Sequence, residues 1–192
     1  MEPHLTHPER VAIARLHALL ELLPTALDKE LAPAGLTSFE YTLLEALQEN
    51  PHRRMRLSAL ASRTNATLPR LSRVVTGLER KGLVERAPCA EDGRATNAVL
   101  TAAGVRAFEA ARPLYGDAVR RLVLDGMDDE GVDQLAAVSY AVLSRLDPEA
   151  RLTATAEGRS CGADPAPCSA DPAPACSADP EPLPDGGSRA AS

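Results

Sequence analysis

Residues 57–86 read LSALASRTNATLPRLSRVVTGLERKGLVER, and this stretch decides the fold. It predicts a short helix that starts at Ser58, a polar turn, and a second helix that is capped by Thr67 and runs to about Lys81. Gly82 stands in the usual stop position behind that helix. Residues at i, i+3, i+4 and i+7 form the buried stripe of the second helix, namely Leu71, Val74, Val75 and Leu78.

Two short strands and a tight loop follow the second helix. Residues 83–86 and 97–100 have the length and composition of strands. Residues 91–94, with the sequence EDGR, supply turn chemistry at the tip between them, because Asp and Gly tolerate the backbone angles of tight turns. A short helix, a turn, a second helix and a two-stranded loop together predict a winged helix-turn-helix.

Further helices flank this unit on both sides. The first opens at Pro8 and contains Pro24, which should kink it, and the second is capped at residues 37–38. Behind the wing, Thr101 caps one helix, and the acidic residues 128–130 start the last one. The expected fold class is therefore mainly α with a small β-wing, a winged helix-turn-helix plus a helical region.

The net charge of −6 hides one strongly basic segment. Residues 52–100 hold ten Lys or Arg and four Asp or Glu, a net charge of +6, whereas the segments on both sides are acidic. Arg70, Arg73 and Arg80 fall on one side of the second helix, as a helix lying in the DNA major groove requires. Arg94 at the thin loop tip is placed to reach a minor groove. The alternative is an amphipathic helix with a solvated basic face.

Several other classes of protein are excluded. No apolar run approaches the roughly 18 residues that span a bilayer, so we expect no membrane association. The acidic, polar N-terminus lacks the features of a secretory signal, so we expect a cytoplasmic protein without stable disulfides. The sequence has no nucleophile elbow, phosphate-binding glycine loop or paired catalytic carboxylates, and its histidines show no ligand spacing. We therefore expect no enzyme, no cofactor and no metal site.

The sequence resembles the MarR family of bacterial transcriptional regulators over about residues 8–146. The resemblance is carried by short motifs: LSALASR at 57–63, LSR at 71–73, LERKGLVER at 78–86, DGR at 92–94 and LTAAG at 100–104. It implies a homodimer in which the first helix and the last two form the dimerisation region. The expected organisation is an N-terminal dimerisation helix, a winged helix-turn-helix DNA-binding domain, C-terminal dimerisation helices and a disordered Ala/Pro-rich tail, at residues 1–35, 36–104, 105–150 and 151–192.

The resemblance also implies a function and a set of DNA contacts. The helix from Thr67 would read the major groove of a near-palindromic double-stranded operator, and Arg94 would enter the minor groove. The protein would be a repressor that a small-molecule effector releases. The candidate DNA-binding residues are Thr67, Arg70, Ser72, Arg73, Arg80, Arg86, Asp92 and Arg94.

Three positions depart from the family pattern. Arg70 stands where the family usually has a small polar residue near the base edges, which points to an unusual operator preference. Thr64 and Asn65 stand where an apolar residue and a glycine are common at the turn.

The outer helices carry candidates for dimerisation and for effector binding. The last helix has apolar residues at heptad-like spacing, which suits a partner helix. The candidate dimerisation residues are Val11, Leu16, Leu19, Leu135, Val138, Val142 and Leu146. By resemblance, Tyr41 and Tyr115 could line a pocket for a small aromatic acid or phenolic compound, and the alternative is that both are core or interface aromatics.

Two further functions remain open. Cys89 follows Pro88 and lies near Arg86, and nearby positive charge lowers the pKa of a thiol, so the protein could be a redox-sensing regulator. Alternatively, the basic face could bind an acidic protein, and the chain would be a winged-helix interaction module without DNA binding.

Overall fold

The computed structural model describes residues 4–89 and 95–147, which form a mainly helical protein with one small antiparallel sheet. The expected fold class is confirmed. A 3-10 turn at Ala32–Ala34 and a π-helical segment at Arg120–Leu124 extend two of the helices. In chain order the described elements are α1 (His7–Leu31), α2 (Ser38–Glu49), β1 (Arg54–Arg56), α3 (Leu57–Arg63), α4 (Leu68–Arg80), β2 (Val84–Pro88), β3 (Thr96–Leu100), α5 (Ala102–Val119) and α6 (Asp129–Leu146).

The helix starts predicted from capping residues are confirmed. The Thr37 hydroxyl accepts a hydrogen bond from the Glu40 amide, and the Glu40 carboxylate accepts one from the Thr37 amide, which makes a capping box. Thr101 caps α5 by accepting from the amide of Gly104 at 3.0 Å, and Asp128 caps α6 in the same way. Thr67 is the N-cap residue of α4, but its side chain makes no capping bond.

The sheet has the strand order β1-β3-β2, and both pairings are antiparallel. The sequence predicted β2 and β3 but not β1. The β1 strand is three residues long and contains two arginines around a buried Met55. It pairs with β3 from Arg54 opposite Val99 to Arg56 opposite Asn97. The sequence of β1 has no alternation of apolar and polar residues that would predict a strand. Its strand conformation depends on hydrogen bonds to β3.

Leucine side chains fill most of the core, together with the buried rings of Tyr41 and Phe108. The helix α2 lies at its centre, with Leu43, Leu44 and Leu47 fully buried. The predicted stripe of α4 belongs to the same core: Leu71, Val75 and Leu78 are buried, and Val74 is partly buried. This packing fixes α4 on one face and leaves its opposite face outward.

The start of α5 packs directly onto the turn between α4 and β2. The Thr101 hydroxyl donates to the carbonyl of Gly82 at 2.8 Å. A Cβ on Gly104 would lie 2.1 Å from the carbonyl oxygen of Leu83 and 2.6 Å from Leu100 Cδ1. Only a glycine therefore allows this approach of α5 to the base of the wing.

The helices α1 and α6 leave most of their apolar side chains uncovered. Only Leu27 and Leu31 of α1 are buried, and α6 contains no buried residue. α1 is held to the rest of the chain at its C-terminal half, where Asp28 accepts from the Ser38 amide at 2.7 Å and Glu30 pairs with Arg121 at 2.9 Å. Among the residues that the structure describes, no helix combines the length and apolarity that crossing a bilayer needs.

Candidate nucleic-acid interface

The outward face of α4 is basic. Arg70, Arg73 and Arg80 are all exposed, and in the described part of the chain none of them pairs with a carboxylate. Thr67 is also exposed at the N-terminal end of the helix. The structure therefore brings four of the candidate DNA-binding residues onto one surface. Asp92 and Arg94 of the wing tip lie outside the described residues.

Arg70 is held in place by an aromatic ring. Its guanidinium carbon lies 4.4 Å from the ring centroid of Phe39 on α2, which is a cation–π contact. Arg73 is less constrained, since its Nε makes one long hydrogen bond of 3.4 Å to the carbonyl of Pro69. The unusual arginine at position 70 is thus oriented by α2, a relation that the sequence did not indicate.

Arg86 differs from Arg70, Arg73 and Arg80 because its guanidinium is bonded to side chains and a carbonyl of α4. It forms an ion pair with Glu79. Its Nη2 donates to the carbonyl of Ser72 at 2.9 Å, to the Ser72 hydroxyl at 3.3 Å and to the Thr76 hydroxyl at 3.1 Å. The Arg86 amide also donates to Glu79 at 3.1 Å. The base of β2 is therefore bonded to three positions on α4.

The C-terminal end of α4 is tied to the first turn of α2. Lys81 Nζ donates to both carboxylate oxygens of Glu40 at 2.8 Å and to the carbonyl of Gly35 at 3.0 Å. Glu40 is almost fully buried and is also part of the α2 capping box. Phe39 and Glu40 together connect α2 to both ends of α4. Neither contact could be found from local spacing, since the partners lie 31 and 41 residues apart in the sequence.

The two candidate effector residues, Tyr41 and Tyr115, lie side by side next to a cleft of about 520 Å³. Their ring centroids are 4.2 Å apart and stacked, and the Tyr41 ring also stacks on Phe108 at 5.3 Å. Tyr41 is buried, so its ring belongs to the core, and the residue also lines the cleft. The cleft is lined by Tyr41, Glu45, Arg112, Pro113, Tyr115, Gly116, Asp117 and Arg120.

A half-buried carboxyl group lies at this cleft. Glu45 accepts a hydrogen bond from the Tyr41 hydroxyl at 3.0 Å. Burial raises the pKa of Glu45 above its ordinary value, and the nearby charge of Glu49 raises it further. Burial also raises the pKa of Tyr115, and the Glu45 charge adds to that shift, so Tyr115 keeps its proton at neutral pH. The cleft therefore combines neutral phenol hydroxyls with a carboxyl group and two arginines.

The candidate dimerisation residues lie on the uncovered faces of α1 and α6. Val138 and Leu146 are 65% and 75% exposed, and Leu19 is 58% exposed. Leu16, Leu135 and Val142 are also exposed, and Val11 is partly buried. Such large apolar side chains are costly to leave in water over two long helices.

Cys89 lies at the end of β2 and is 2% exposed. Its Sγ accepts a hydrogen bond from Arg56 Nη2 at 3.4 Å and is disulfide-bonded, contrary to the expectation of a chain without disulfides. The other three cysteines of the chain lie outside the described residues. Burial restricts the access of oxidants to this sulfur, so the geometry does not favour Cys89 as an open sensor thiol.

Comparisons with known proteins agree on one family. A model of the MarR family matches residues 34–95. AbsC, a MarR family transcriptional regulator from Streptomyces coelicolor, is 33% identical with a TM-score of 0.72, and the match covers 77% of this chain and 99% of that one. Sco3205, a second such regulator from Streptomyces coelicolor, was solved in complex with DNA; it is 34% identical with a TM-score of 0.74, over 77% of this chain and 93% of that one. The M. tuberculosis transcriptional regulator MOSR, also solved with DNA, is 26% identical with a TM-score of 0.59, over 73% and 98%. With this fold, and with one-third identity over nearly the whole length of such regulators, the chain belongs to the MarR family of transcriptional regulators.

Proposed function

We propose that the protein is a homodimeric repressor that binds a near-palindromic operator and is released by a small aromatic or phenolic effector. The observation that carries the DNA-binding part is the row of exposed arginines on α4, which have no carboxylate partner in the described residues. A cation that is not neutralised by its own protein can neutralise a phosphate and release a counterion. The DNA complexes of Sco3205 and MOSR support this use of the fold.

In the proposed complex, α4 lies in the major groove and the wing tip in the minor groove. Thr67 and Arg70 near the N-terminal end of α4 would reach base edges, and Arg73 and Arg80 would bind phosphates. Ser72, whose hydroxyl accepts from Arg86, lies beside them on the flank of the helix. Asp92 and Arg94 would act at the wing tip. Two copies of the chain would address half-sites whose centres lie about one helical turn apart.

The proposed effector site is the cleft beside Tyr41 and Tyr115. Its volume of about 520 Å³ falls within the usual range of small-molecule sites, and its aromatic rings and arginines suit an aromatic acid or a phenol. α2 lines this cleft through Tyr41 and Glu45, and the neighbouring Phe39 and Glu40 hold α4. An effector that fits better when α2 is displaced would therefore move α4 and favour the form that does not bind DNA.

The test starts with selection of a duplex from a random DNA pool by the wild-type protein. Fluorescence anisotropy then measures binding to the selected duplex and to a scrambled duplex over a range of salt concentrations. We expect the affinity for the selected duplex to fall steeply with salt. Arg73→Ala should reduce the slope of log K against log salt by about 0.9, since one phosphate contact is lost.

The matched control is Arg106→Ala, which removes an exposed arginine of α5 that is not among the proposed DNA contacts. Equal, weak and salt-insensitive binding to both duplexes would contradict DNA binding and favour a protein partner for the basic face. Benzoate and phenol, titrated into the preformed complex, test the effector. Release by either one supports the proposed class, and it should be weakened by Tyr115→Ala.

A further inference from the structure

We propose that Arg86 is a positioning residue that fixes the wing against the recognition helix α4, and that its guanidinium does not bind a DNA phosphate. This inference rests on the proposed function, because it concerns how the DNA-binding surface is held. It separates Arg86 from Arg73 and Arg80, which the sequence places in the same basic group.

The number and placement of its bonds hold Arg86 against α4. Arg86 bonds to Ser72, Thr76 and Glu79, which are at i, i+4 and i+7 on α4. By the helical period, this row lies between the buried stripe and the row of exposed arginines. The bonds thus fasten the base of β2 along about two turns of the flank of α4. They leave the outward face of the helix open.

Charge also favours the closed ion pair between Arg86 and Glu79. Glu79 is the only acidic residue of α4, and the side chains of Arg86 and Glu79 are 27% and 29% exposed. If Arg86 turned to a phosphate, the Glu79 carboxylate would be left without its partner beside the negatively charged backbone of DNA. The free energy gained from a contact between Arg86 and phosphate would be offset by loss of the Arg86–Glu79 ion pair and by repulsion between the Glu79 carboxylate and the phosphates. The pair is therefore better kept closed in the complex than opened.

The bonds of Arg86 join α4 to the strand that enters the wing. Arg86 is the third residue of β2, which leads to the wing tip, and Ser72 lies on the part of α4 that is proposed to read bases. The angle between α4 and β2 sets the direction in which β2 leaves the recognition helix. A fixed angle allows both parts to enter their grooves at once without a further ordering cost.

The substitution Glu79→Gln tests the role of Arg86, because the expected change in DNA affinity is opposite to the one that the change in charge alone predicts. This substitution removes a negative charge from the DNA-binding helix, so simple electrostatics expects tighter binding. If Arg86 is a positioning residue, the loss of its ionic partner loosens the wing instead. Affinity for the duplex selected by the wild-type protein should then fall by about tenfold, the change that accompanies loss of one charge-assisted hydrogen bond. Tighter binding with a steeper salt slope would show that Arg86 is a phosphate contact that Glu79 had held back.

Salt dependence provides the second readout. Arg86→Gln should weaken binding while the slope of log K against log salt stays within about 0.3 of the wild-type slope. In contrast, Arg73→Ala, the matched control, should reduce the slope by about 0.9. A reduction of about 0.9 for Arg86→Gln would overturn the proposal, because only a phosphate contact releases a counterion. Arg86→Lys should restore only part of the affinity, since an ammonium group cannot span three positions of α4 as the guanidinium fork does.

A measurement without DNA separates the two proposals. Urea unfolding of Glu79→Gln, Arg86→Gln and the double variant gives a double-mutant cycle for the link itself. A coupling energy that is clearly different from zero supports the link between β2 and α4, and additive effects would overturn it. If the wild-type protein selects no DNA sequence at all, the proposed function fails, and that failure is visible before any variant is made.

Discussion

At the scale of single residues, Asn65 shows how the turn of the helix-turn-helix is made without a glycine. Its φ of 53° lies in the left-handed region, which Asn tolerates better than most residues. The Asn65 amide bonds to the Ser62 carbonyl at 3.3 Å, and the Ala66 amide bonds to the Ala61 carbonyl at 2.9 Å. This is a Schellman motif, and α4 ends in the same motif with Gly82 in the left-handed position. The departure from the family pattern at residue 65 is therefore a substitution that preserves the geometry.

A second residue, Glu45, gives the protein a pH dependence that can be measured. Because burial raises the pKa of this carboxyl group in the folded state, the folded protein binds the proton more tightly than the unfolded chain. The resulting stabilisation is complete below the ordinary pKa of 4.5 and is lost as the pH rises through the folded-state pKa. In Glu45→Gln, which keeps an acceptor for the Tyr41 hydroxyl, this loss is absent.

The free energy of unfolding of Glu45→Gln, minus that of the wild type, should therefore increase between about pH 4 and pH 7. Urea titrations at each pH measure it, and the same substitution at the exposed Glu85 serves as the control. A difference that is flat or falls over this range would contradict the raised pKa.

At the scale of elements, the contact between α5 and the base of the wing depends on a missing side chain. Gly104→Ala would put a Cβ 2.1 Å from the Leu83 carbonyl oxygen, so α5 or the α4–β2 turn must shift. We expect a loss of about 1–3 kcal/mol in the free energy of unfolding, as for other overpacked sites. Gly116→Ala in the same helix is the matched control, because nothing lies within 4 Å of its Cβ position. It should be neutral or stabilise by up to about 1 kcal/mol. Similar urea midpoints for the two variants would show that α5 does not press on the turn as described.

Elements with a strong local signal could be predicted from the sequence, and elements made by distant partners could not. The starts of α2, α5 and α6 follow from the caps at Thr37, Thr101 and Asp128. The strand β1 was not predicted from the sequence because its three residues form a strand only when β3 lies beside them. The same reason applies to the interface. The exposed arginines of α4 follow from the helical period, whereas the pairing of Arg86 with Glu79 requires the chain reversal at Gly82. The helical period alone does not distinguish one arginine of a basic segment from another. Tertiary contacts show that Arg86 is paired with Glu79, whereas the arginines on the outward face of α4 have no carboxylate partner in the described residues.

At the scale of the whole molecule, charge is separated along the chain. The segment 52–100, which contains α4 and the wing, has a net charge of +6 in a protein of net charge −6. Such a separation gives the protein a field that orients the basic surface toward DNA and turns the acidic remainder away from it. It also explains why the overall charge is a poor guide to the partner of this protein.

The proposed dimer can be tested with one substitution on α6. Val138 is 65% exposed in the single chain, and it would be buried in an interface built from α1 and α6. Val138→Asp should therefore convert the dimer into a monomer, since a carboxylate would be desolvated without a partner. Light scattering coupled to size exclusion gives the mass. Asp133→Ala, on the opposite side of α6 by the helical period, should leave the dimer intact. A monomeric wild-type protein, or a dimeric Val138→Asp protein, would contradict the proposed interface.

The absence of any buried residue in α6 has a consequence for gene regulation. In the proposed dimer, a helix with no buried residue in the single chain would gain much of its stabilisation from the partner copy, so assembly and operator occupancy would share one concentration scale. Below the concentration at which copies pair, occupancy of an operator would rise with the square of the protein concentration. If the proposed repressor controls its own synthesis, a small fall in its concentration would then cause a steep rise in transcription from its promoter. The steepness of that response would depend on pairing through α6 and not on the helix that reads the DNA.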